Sequence, residues 1–238
     1  AATAEEEISG KNGIELLFPH LGKIDAAIVG EPTQMKMAVA EKGLLVLDCF
    51  AHGKSGHAAR QEGDNAIRKA WKDVAWFMDF RFPEISPWLG STQMNVTMIS
   101  AGTQHNVVPD KCSFTVDVRV TECYTPEDVL KTVRENVSCE VVPRSLRLRP
   151  SFIAEDHPLV RAGKTSGLSA FGSPTLSDCA LIPVPCIKIG PGDSVRSHTA
   201  GEFIFLTEIE HGIAAYVQLL ENFGAAIGKK PTELSHHS

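Results

Sequence analysis

Four ionisable residues in this sequence carry the side chains that a metal-dependent hydrolytic site requires. Glu6 and Glu7 are adjacent near the start of the chain. Glu31 follows a glycine, and His198 lies in a Ser-His-Thr triplet. Carboxylate oxygens and imidazole nitrogens bind zinc and similar ions, and a hydrolase also needs a carboxylate that stays off the metal to move protons. The adjacent pair Glu6 and Glu7 is therefore predicted to divide these two roles.

Each of these residues also has an ordinary interpretation when it is taken alone. The acidic run Glu5–Glu7 is typical of a solvated surface. Glu31 suits a turn, and His198 suits a surface or helix-capping position. The prediction of a metal site therefore depends on the combination of the three motifs, since no single one of them is specific.

Three further polar residues are candidates for contact with a substrate. His57 lies in a small-residue loop, where an imidazole can donate to a developing oxyanion. Asn106 joins two predicted strands and suits a substrate hydrogen bond, with a simple turn as the alternative. Arg119 is the odd polar member of an otherwise apolar strand, so it is predicted to point away from the core and pair with a carboxylate. A loop histidine without a role is the alternative for His57.

The composition indicates a globular protein that binds neither nucleic acid nor a membrane. Apolar residues make up 43% of the 238 positions. The net charge of -6 comes from 29 acidic and 23 basic residues that are spread along the chain, so no basic surface attracts an anionic partner. Apolar runs do not exceed five residues, whereas a membrane helix needs about 20.

The cysteine pattern indicates a reducing compartment. The six cysteines include no C-x-x-C pair, and their spacing suggests neither a zinc ribbon nor a disulfide framework. The N-terminal residues also lack the basic and apolar regions of a secretory signal. We therefore expect a cytoplasmic protein.

A short strand is predicted to place Glu31. The segment Asp25–Gly30 is an apolar run that ends at a glycine, which is typical of a strand buried on both faces of a parallel sheet. Pro32 favours extended structure at the residue before it. Glu31 is thus predicted at the carboxyl end of a strand, where open α/β sheets bind their ligands.

Residues 42–150 are predicted to form a β-α-β-β-α-β order, the ferredoxin-like layout. The first helix is predicted to begin at an Asp64 cap and to pack through an apolar face. The second helix is predicted to begin at Thr125-Pro126, with acidic residues in its first turn. The apolar face of the first helix comprises Ile67, Trp71, Val74 and Met78, and the strands are predicted at Leu44–Ala51, Met94–Ile99, Cys112–Val120 and Ser145–Leu148.

The segments on either side of this block return to an α/β pattern. A helix is predicted from His157-Pro158, a strand at Pro185–Ile189, and a final helix from a capping box of Thr207 and Glu210. We therefore predict one discontinuous α/β domain of residues 1–41 and 151–238, interrupted by an inserted lid of residues 42–150. The apolar face of the final helix comprises Leu206, Ile209, Ile213, Val217 and Leu220.

Several familiar catalytic motifs are absent from the sequence. Gly53-Lys54-Ser55 lacks the earlier glycine of a phosphate-binding loop, because Asp48 stands at that position. Gly190-x-Gly192 has no third glycine, and a G-x-S-x-G elbow does not occur. These observations disfavour nucleotide hydrolysis, hydride transfer and serine catalysis.

A series of motifs in fixed order resembles the zinc-dependent aminoacylase family, which includes acetylornithine deacetylase, succinyl-diaminopimelate desuccinylase and carboxypeptidase G. The sequence is most similar to the acetylornithine deacetylase branch, including forms that use N-succinylornithine. The motifs are T-A-E-E-E-I-S-G, A-I-V-G-E-P-T, G-H-A with N-A-I, A-G-T-Q-H-N-V-V-P-D, and G-P-G with S-H-T.

The resemblance implies a zinc-peptidase-like catalytic domain with two metal ions. It implies that Glu6 is the general acid/base, that Glu7 and His198 hold one zinc, and that Glu31 holds the second. Cobalt and manganese are alternatives to zinc, since they accept the same ligands. The lid is implied to be a homodimerisation surface. The resemblance also implies that three lid residues assist the oxyanion or hold the substrate carboxylate, namely His57, Asn106 and Arg119.

The sequence departs from the family at its start. The family has an H-x-D motif and a bridging aspartate before the Glu-Glu pair, whereas H-x-D does not occur in this chain. We therefore expect that an N-terminal part of the catalytic domain is absent. With so few ligands, the chain as given is expected to bind metal weakly and to be inactive alone, because catalytic zinc normally has three protein ligands.

The sequence thus predicts a metal-dependent hydrolase of N-acyl amino acids. The preferred reaction is deacetylation of N-acetylornithine or desuccinylation of N-succinylornithine in arginine biosynthesis. A dipeptidase or carboxypeptidase of the same family and an inactive dimerising fragment are the alternatives.

Overall fold

The computed structural model describes residues 3–60 and 62–228, except for the side chain of Glu6. The strands in this part of the chain range from two to ten residues in length. They are β1 (Ala27–Val29), β2 (Met37–Glu41), β3 (Gly43–His52), β4 (Gly56–His57), β5 (Ile85–Ser86), β6 (Gly90–Ser91), β7 (Gln93–Ala101), β8 (Val107–Val108), β9 (Lys111–Val120), β10 (Glu140–Pro143), β11 (Ser151–Phe152), β12 (Ala170–Ser173) and β13 (Cys186–Lys188).

The helices fall before, between and after these strands. Short 3-10 turns occur at Glu6–Ile8, Phe18–His20, Ala58–Arg60, Asp178–Leu181 and Ser194–Arg196. The α-helices are α1 (Ile14–Leu17), α2 (Ala66–Asp79), α3 (Pro126–Asn136), α4 (Pro158–Thr165) and α5 (Leu206–Ala226). None of them is both long enough and apolar enough for a membrane crossing, a finding that covers the described residues only.

The chain folds into two compact units. The first unit comprises the described residues of 1–41 and 151–238, and the second unit comprises residues 42–150. The mixed α/β class predicted from the sequence is confirmed in both units.

The first unit is built on a mixed sheet in the order β1-β13-β2-β11, with β12 also paired to β2. Strand β1 runs parallel to β13, and Ala27 pairs with Cys186. The prediction that β1 is buried on both faces is wrong. Among the described residues β1 is half-buried at one end of the sheet, and β2 and β13 are fully buried.

The second unit has the predicted ferredoxin-like order. Its antiparallel sheet runs β10-β3-β9-β7, with α2 and α3 inserted between the strands along the chain. Along β3 and β9, buried residues alternate with half-buried ones, so one sheet face packs against the helices and the other is more open. The predicted start of α3 is confirmed, because Thr125 and Asp128 form a reciprocal capping box.

The first helix of the second unit differs from its prediction in cap and in packing face. Asn65 is the cap, and its Oδ1 accepts from the backbone N–H of Ile67 at 2.9 Å. Asp64 instead pairs its backbone with Lys54. The predicted apolar face is largely exposed, with 69% of Trp71 accessible. The helix packs through a neighbouring face that comprises Ala66, Ala70, Val74 and Phe77.

Two other predicted elements are displaced. The last strand of the second unit lies at Glu140–Pro143 and not at Ser145–Leu148. Helix α5 begins at Leu206, one residue before the predicted cap Thr207, and Glu208 Oε2 accepts from the backbone N–H of Phe205 at 2.9 Å. The predicted capping box of Thr207 and Glu210 is therefore wrong.

The packing face of α5 also differs from its prediction. Gly212 and Leu219 are its buried residues, and a side chain at Gly212 would meet Pro191 at 3.0 Å. Helix α5 therefore packs through a narrow strip of its surface, while the predicted apolar face is exposed. That exposed face comprises Leu206, Ile209, Ile213, Val217 and Leu220.

The observed cap of α2 makes a testable prediction. Replacing Asn65 with Ala is expected to lower the free energy of unfolding by about 1 kcal/mol, because it leaves N-terminal N–H groups of the helix without an acceptor. Replacing the neighbouring Asp64 with Ala is expected to cost about 0.5 kcal/mol or less, since its ion pair with Lys69 is exposed. Urea unfolding of the two variants measures both values, and the reverse order would contradict the observed cap.

Candidate functional site

A cavity of about 800 Å³ in the first unit is lined by residues from remote parts of the sequence. Glu31 reaches it from the carboxyl end of β1, and His198 reaches it from the loop after β13. Glu7 lines it from the 3-10 turn near the start of the chain. Three of the four predicted metal-site residues therefore line the same cavity. The side chain of the fourth, Glu6, lies outside the described part of the chain.

Close backbone packing fixes the position of Glu31. A Cβ atom at Gly190 would lie 2.5 Å from the Glu31 carbonyl oxygen, so only glycine fits at that position. The hydroxyl of Thr33 donates to the Lys36 carbonyl at 2.7 Å and accepts from the Gly190 N–H at 3.1 Å. These contacts hold the Gly-Glu-Pro-Thr motif, which contains Glu31, against the Gly-Pro-Gly motif. The loop that contains His198 follows the second motif.

His198 faces Glu7 across the cavity opening. Its Nε2 lies 3.9 Å from Glu7 Oε2, and both side chains are more than three-quarters exposed. The backbone of His198 has a φ of +59°, a left-handed conformation that is uncommon outside glycine. Its N–H donates to Glu202 Oε2 at 3.2 Å. The loop therefore turns sharply at the histidine and directs it toward the N-terminal segment.

An arginine clamp holds the loop that carries His198. Arg196 donates to both carboxylate oxygens of Glu208, at 2.8 and 2.5 Å. Its guanidinium also lies over the rings of Phe203 and Phe205, 4.9 and 5.3 Å from their centroids. The hydrogen bonds from Arg196 and from the Phe205 N–H lower the pKa of Glu208 to about 2. The clamp joins the loop to the first turn of α5.

Glu5 and Glu7, two of the three consecutive glutamates near the start of the chain, have different surroundings. Glu5 accepts from the N–H and the side-chain amide of Asn12, at 3.1 and 2.8 Å, and these bonds lower the pKa of Glu5. Glu5 therefore closes the loop between residues 5 and 12, whereas Glu7 lines the cavity.

The donor set at this cavity fits a divalent cation in part. Two tetrahedral zinc ligands lie about 3.3 Å from each other, so small rotations of the exposed Glu7 and His198 side chains would let them share an ion. Among the side chains that the structure describes, however, no group of three histidine, cysteine, aspartate or glutamate residues is placed to hold one. The assignment of Glu7, Glu31 and His198 as ligands stays a prediction.

The predicted lid residues lie in the second unit. His57 is in β4, which pairs with β8, and the Asn106 carbonyl accepts from the Ala58 N–H at 3.0 Å. The His57 Nδ1 accepts from the Ala59 N–H at 3.2 Å, which leaves Nε2 of a neutral ring to carry the proton. His57 and Asn106 are thus brought into one small region, and their catalytic roles stay predictions.

Arg119 lies apart from that pair, in the middle of the sheet. It makes a two-pronged ion pair with Asp117, at 2.8 and 3.0 Å, on the sheet face opposite the helices. Asp117 was not among the predicted site residues. The strand period of two places residues 117 and 119 on the same face, so the sequence contained this signal.

Sequence reasoning also missed a polar group at the floor of the cavity. Lys188 lines the cavity, is 5% exposed and forms an ion pair with the buried Glu41 at 2.5 Å. Its ammonium also donates to Ser173 Oγ at 2.9 Å. A lysine in a short apolar strand carries no local signal for a partner so distant in sequence.

Comparison with known proteins identifies the class of fold. Residues 39–144 match the peptidase dimerisation domain of the M20 family. Aminopeptidase PepT of Bacillus cereus superposes with a TM-score of 0.75 at 21% identity, over 93% of this chain and 63% of that one. YxeP of Bacillus subtilis, a dinuclear metal-binding peptidase of the M20 family, superposes with a TM-score of 0.63 at 15% identity, over 94% and 62%. The chain therefore has the fold of M20 peptidases.

Curated relatives match both units and confirm the resemblance stated from the motifs. An M20 peptidase domain protein of Schizosaccharomyces pombe is 28% identical, over 82% of this chain and 48% of its own length. Acetylornithine deacetylase of Myxococcus xanthus is 26% identical, over 93% and 63%. Succinyl-diaminopimelate desuccinylase of Wolbachia pipientis is 25% identical, over 94% and 61%. The chain spans between about half and just under two thirds of the length of these relatives.

The arginine clamp predicts a pH-dependent stability. The folded-state pKa of Glu208 is below its ordinary value of 4.5, so the stabilisation is complete above about pH 4.5 and is lost as the pH falls through about 2. Replacing Glu208 with Gln is expected to lower the free energy of unfolding at pH 7, by an amount that shrinks between pH 4.5 and pH 2. Urea unfolding at a series of pH values measures the difference.

The control for this prediction is Glu210→Gln, an exposed change in the same helix that removes the same charge outside the clamp. It is expected to leave stability nearly unchanged throughout this range. A Glu208→Gln variant that matches the wild type at pH 7, or whose difference is constant down to pH 2, would contradict the clamp.

Proposed function

We propose that this protein contributes to metal-dependent hydrolysis of the amide bond of an N-acyl amino acid. N-acetylornithine and N-succinylornithine are the preferred substrates, in a step of arginine biosynthesis. The observation that supports this best is the meeting of Glu7, Glu31 and His198 at one cavity, although they come from the start, the first strand and the late loop of the chain. The names of the curated relatives support the same reaction class.

The proposed roles follow the donor chemistry of the cavity. Glu7 and His198 hold one divalent cation and Glu31 holds a second, with zinc preferred and cobalt or manganese as alternatives. When bound, such ions act as Lewis acids that polarise the scissile carbonyl and make water more acidic. Glu6 accepts a proton from the attacking water and transfers it to the leaving amine nitrogen.

The lid residues are proposed to act on the substrate. The Nε2–H of His57 is a hydrogen-bond donor for the developing oxyanion, and the Asn106 amide hydrogen-bonds the substrate. Arg119 is proposed to bind the substrate carboxylate, for which it must exchange its present partner Asp117. A peptidase of the same family would use the same residues, so substrate profiling is the way to separate the two functions.

The test of the proposal uses the polypeptide at the length that its own gene encodes. With zinc or cobalt added, release of ornithine from N-acetylornithine and N-succinylornithine is expected. Replacing Glu6 with Gln is expected to lower kcat about 10²- to 10⁴-fold while the bound metal stays unchanged. The control is Glu5→Gln, in the same acidic run, which is expected to keep its activity because Glu5 bonds to Asn12.

Three results would count against this function. Full activity of the Glu6→Gln variant would remove the proposed acid/base. Hydrolysis of dipeptides alone would favour the peptidase alternative. Inactivity toward every N-acyl amino acid and peptide would favour a dimerising protein without catalysis.

We further propose that two copies of the chain associate through the second unit. Strand β7 forms one end of the described sheet, and its Met98 and Ile99 are exposed apolar residues. Helix α2, which packs near β7, exposes Trp71 and Met78 on its outer side. A free strand edge beside apolar side chains is suited to pairing with a second copy. The match to a peptidase dimerisation domain supports this homodimer.

The proposed interface predicts a change in oligomeric state. Replacing both Met98 and Ile99 with Glu is expected to convert the dimer to a monomer, because two acidic edges would repel. Light scattering after size-exclusion chromatography measures the mass. The control is Ile85→Glu, which is equally exposed and lies in the separate β5-β6 hairpin. A double variant that remains dimeric would contradict this interface.

A further inference from the structure

Two cysteines that the proposed hydrolysis does not use meet in the interior of the first unit. Cys179 lies in the 3-10 turn Asp178–Leu181, and Cys186 is the first residue of β13. Their sulfur atoms are 2.6 Å apart, and the two residues are 3% and 5% exposed. Both are thiols in this structure. They are therefore close enough to bond to each other with little movement of the backbone.

The backbone on each side of this pair is anchored independently. The N–H of Cys179 donates to Ser177 Oγ at 3.3 Å, and that hydroxyl donates to Glu41 at 2.8 Å. Cys186 is in register with Ala27 of β1 and lies in a fully buried strand. The sheet and the turn thus hold the two sulfur atoms near each other. Neither cysteine lies in an exposed loop.

The surroundings also affect the rate at which Cys179 reacts, because the thiolate is the reactive form of cysteine. The hydrogen bond with Cys186 and burial raise the pKa of Cys179 above its usual value, so this thiol keeps its proton at neutral pH. By contrast, Cys123 is exposed and open to reagents. The raised pKa of Cys179 therefore slows its first attack on an oxidant, whereas the adjacent sulfur favours rapid closure to a disulfide.

We propose that Cys179 and Cys186 form a reversible oxidation site that closes to a disulfide with hydrogen peroxide. In the first step, one sulfur attacks the O–O bond, one water leaves and a sulfenic acid forms. In the second step, the other sulfur displaces the sulfenic hydroxyl, which leaves as a second water. The two thiols together lose two protons and two electrons, which reduce one peroxide to two waters. A dithiol reductant reverses the reaction by thiol–disulfide exchange.

The bond would connect a turn that contacts the N-terminal segment to a strand that reaches the candidate site. The turn begins at Asp178, whose Oδ2 accepts from the Thr3 hydroxyl at 3.2 Å. Strand β13 ends at Lys188, which lines the cavity. Oxidation would therefore fix the turn beside the N-terminal segment to the strand that carries Lys188. This inference does not depend on the hydrolytic function.

The experiment is a thiol map of the folded protein before and after peroxide. Trypsin releases both cysteines in a single peptide, residues 165–188, because lysine and arginine occur in it only at its end. After peroxide treatment, unfolding and alkylation, this peptide is expected to carry no alkyl group and to have lost two hydrogens. Treatment with dithiothreitol before alkylation is expected to restore two alkyl groups.

The controls separate this site from general oxidation. Cys179→Ser is expected to prevent loss of the two hydrogens, whereas Cys112→Ser, a buried change in the second unit, is expected to leave it intact. The proposal is overturned if the peptide stays doubly alkylated while Cys123 becomes oxidised, since the oxidant then acted elsewhere. It is also overturned if the peptide gains oxygen atoms as sulfinic acid in place of the disulfide.

Discussion

The first unit depends on one buried ion pair between Glu41 and Lys188. The two side chains are almost fully inaccessible and lie 2.5 Å from each other. Glu41 Oε2 also accepts from the hydroxyls of Ser177 and Ser151, at 2.8 and 3.3 Å. Because a buried charge without its partner costs several kcal/mol, each member requires the other. The pair therefore ties β2 to β13, to β11 through Ser151, and to the start of the 3-10 turn Asp178–Leu181 through Ser177.

The candidate site is a consequence of this framework. With β13 fixed against β1, the glycine at position 190 packs on Glu31, and the loop that follows is clamped to α5 by Arg196 and Glu208. His198 then faces Glu7 across the cavity. The exposed side chains at the opening sit on a rigid base, which is the arrangement that binding of an ion and a substrate requires.

Local signals predicted the elements of the fold better than their packing. The Thr125-Pro126 start of α3 was correct because its capping box and its proline act within a few residues. Helix α2 was misjudged because it has two apolar stripes, and periodicity does not show which stripe meets the sheet. The same reason explains α5, whose apolar face is exposed in this structure while Gly212 and Leu219 pack. In both helices, tertiary contacts decide which face is buried.

The site shows the same division between local and distant information. The motifs placed Glu7, Glu31 and His198 as candidates, and all three line one cavity. The sequence contained no signal for Glu41 and Lys188, because the local pattern of neither strand shows that its charged residue has a buried partner far away in the chain. Asp117 could have been found from the strand period, whereas the partnership of Arg196 and Glu208 depends on how α5 folds back beside the loop.

The central claim is that Glu7, Glu31 and His198 gather divalent cations at this cavity, and zinc-edge anomalous diffraction tests it most directly. Crystals of the native-length polypeptide, grown with zinc, would be measured above and below the absorption edge. We expect anomalous peaks within bonding distance of the Glu7 and His198 side chains and of Glu31. Peaks confined to other surface residues, or a cavity without any peak at saturating zinc, would contradict the account.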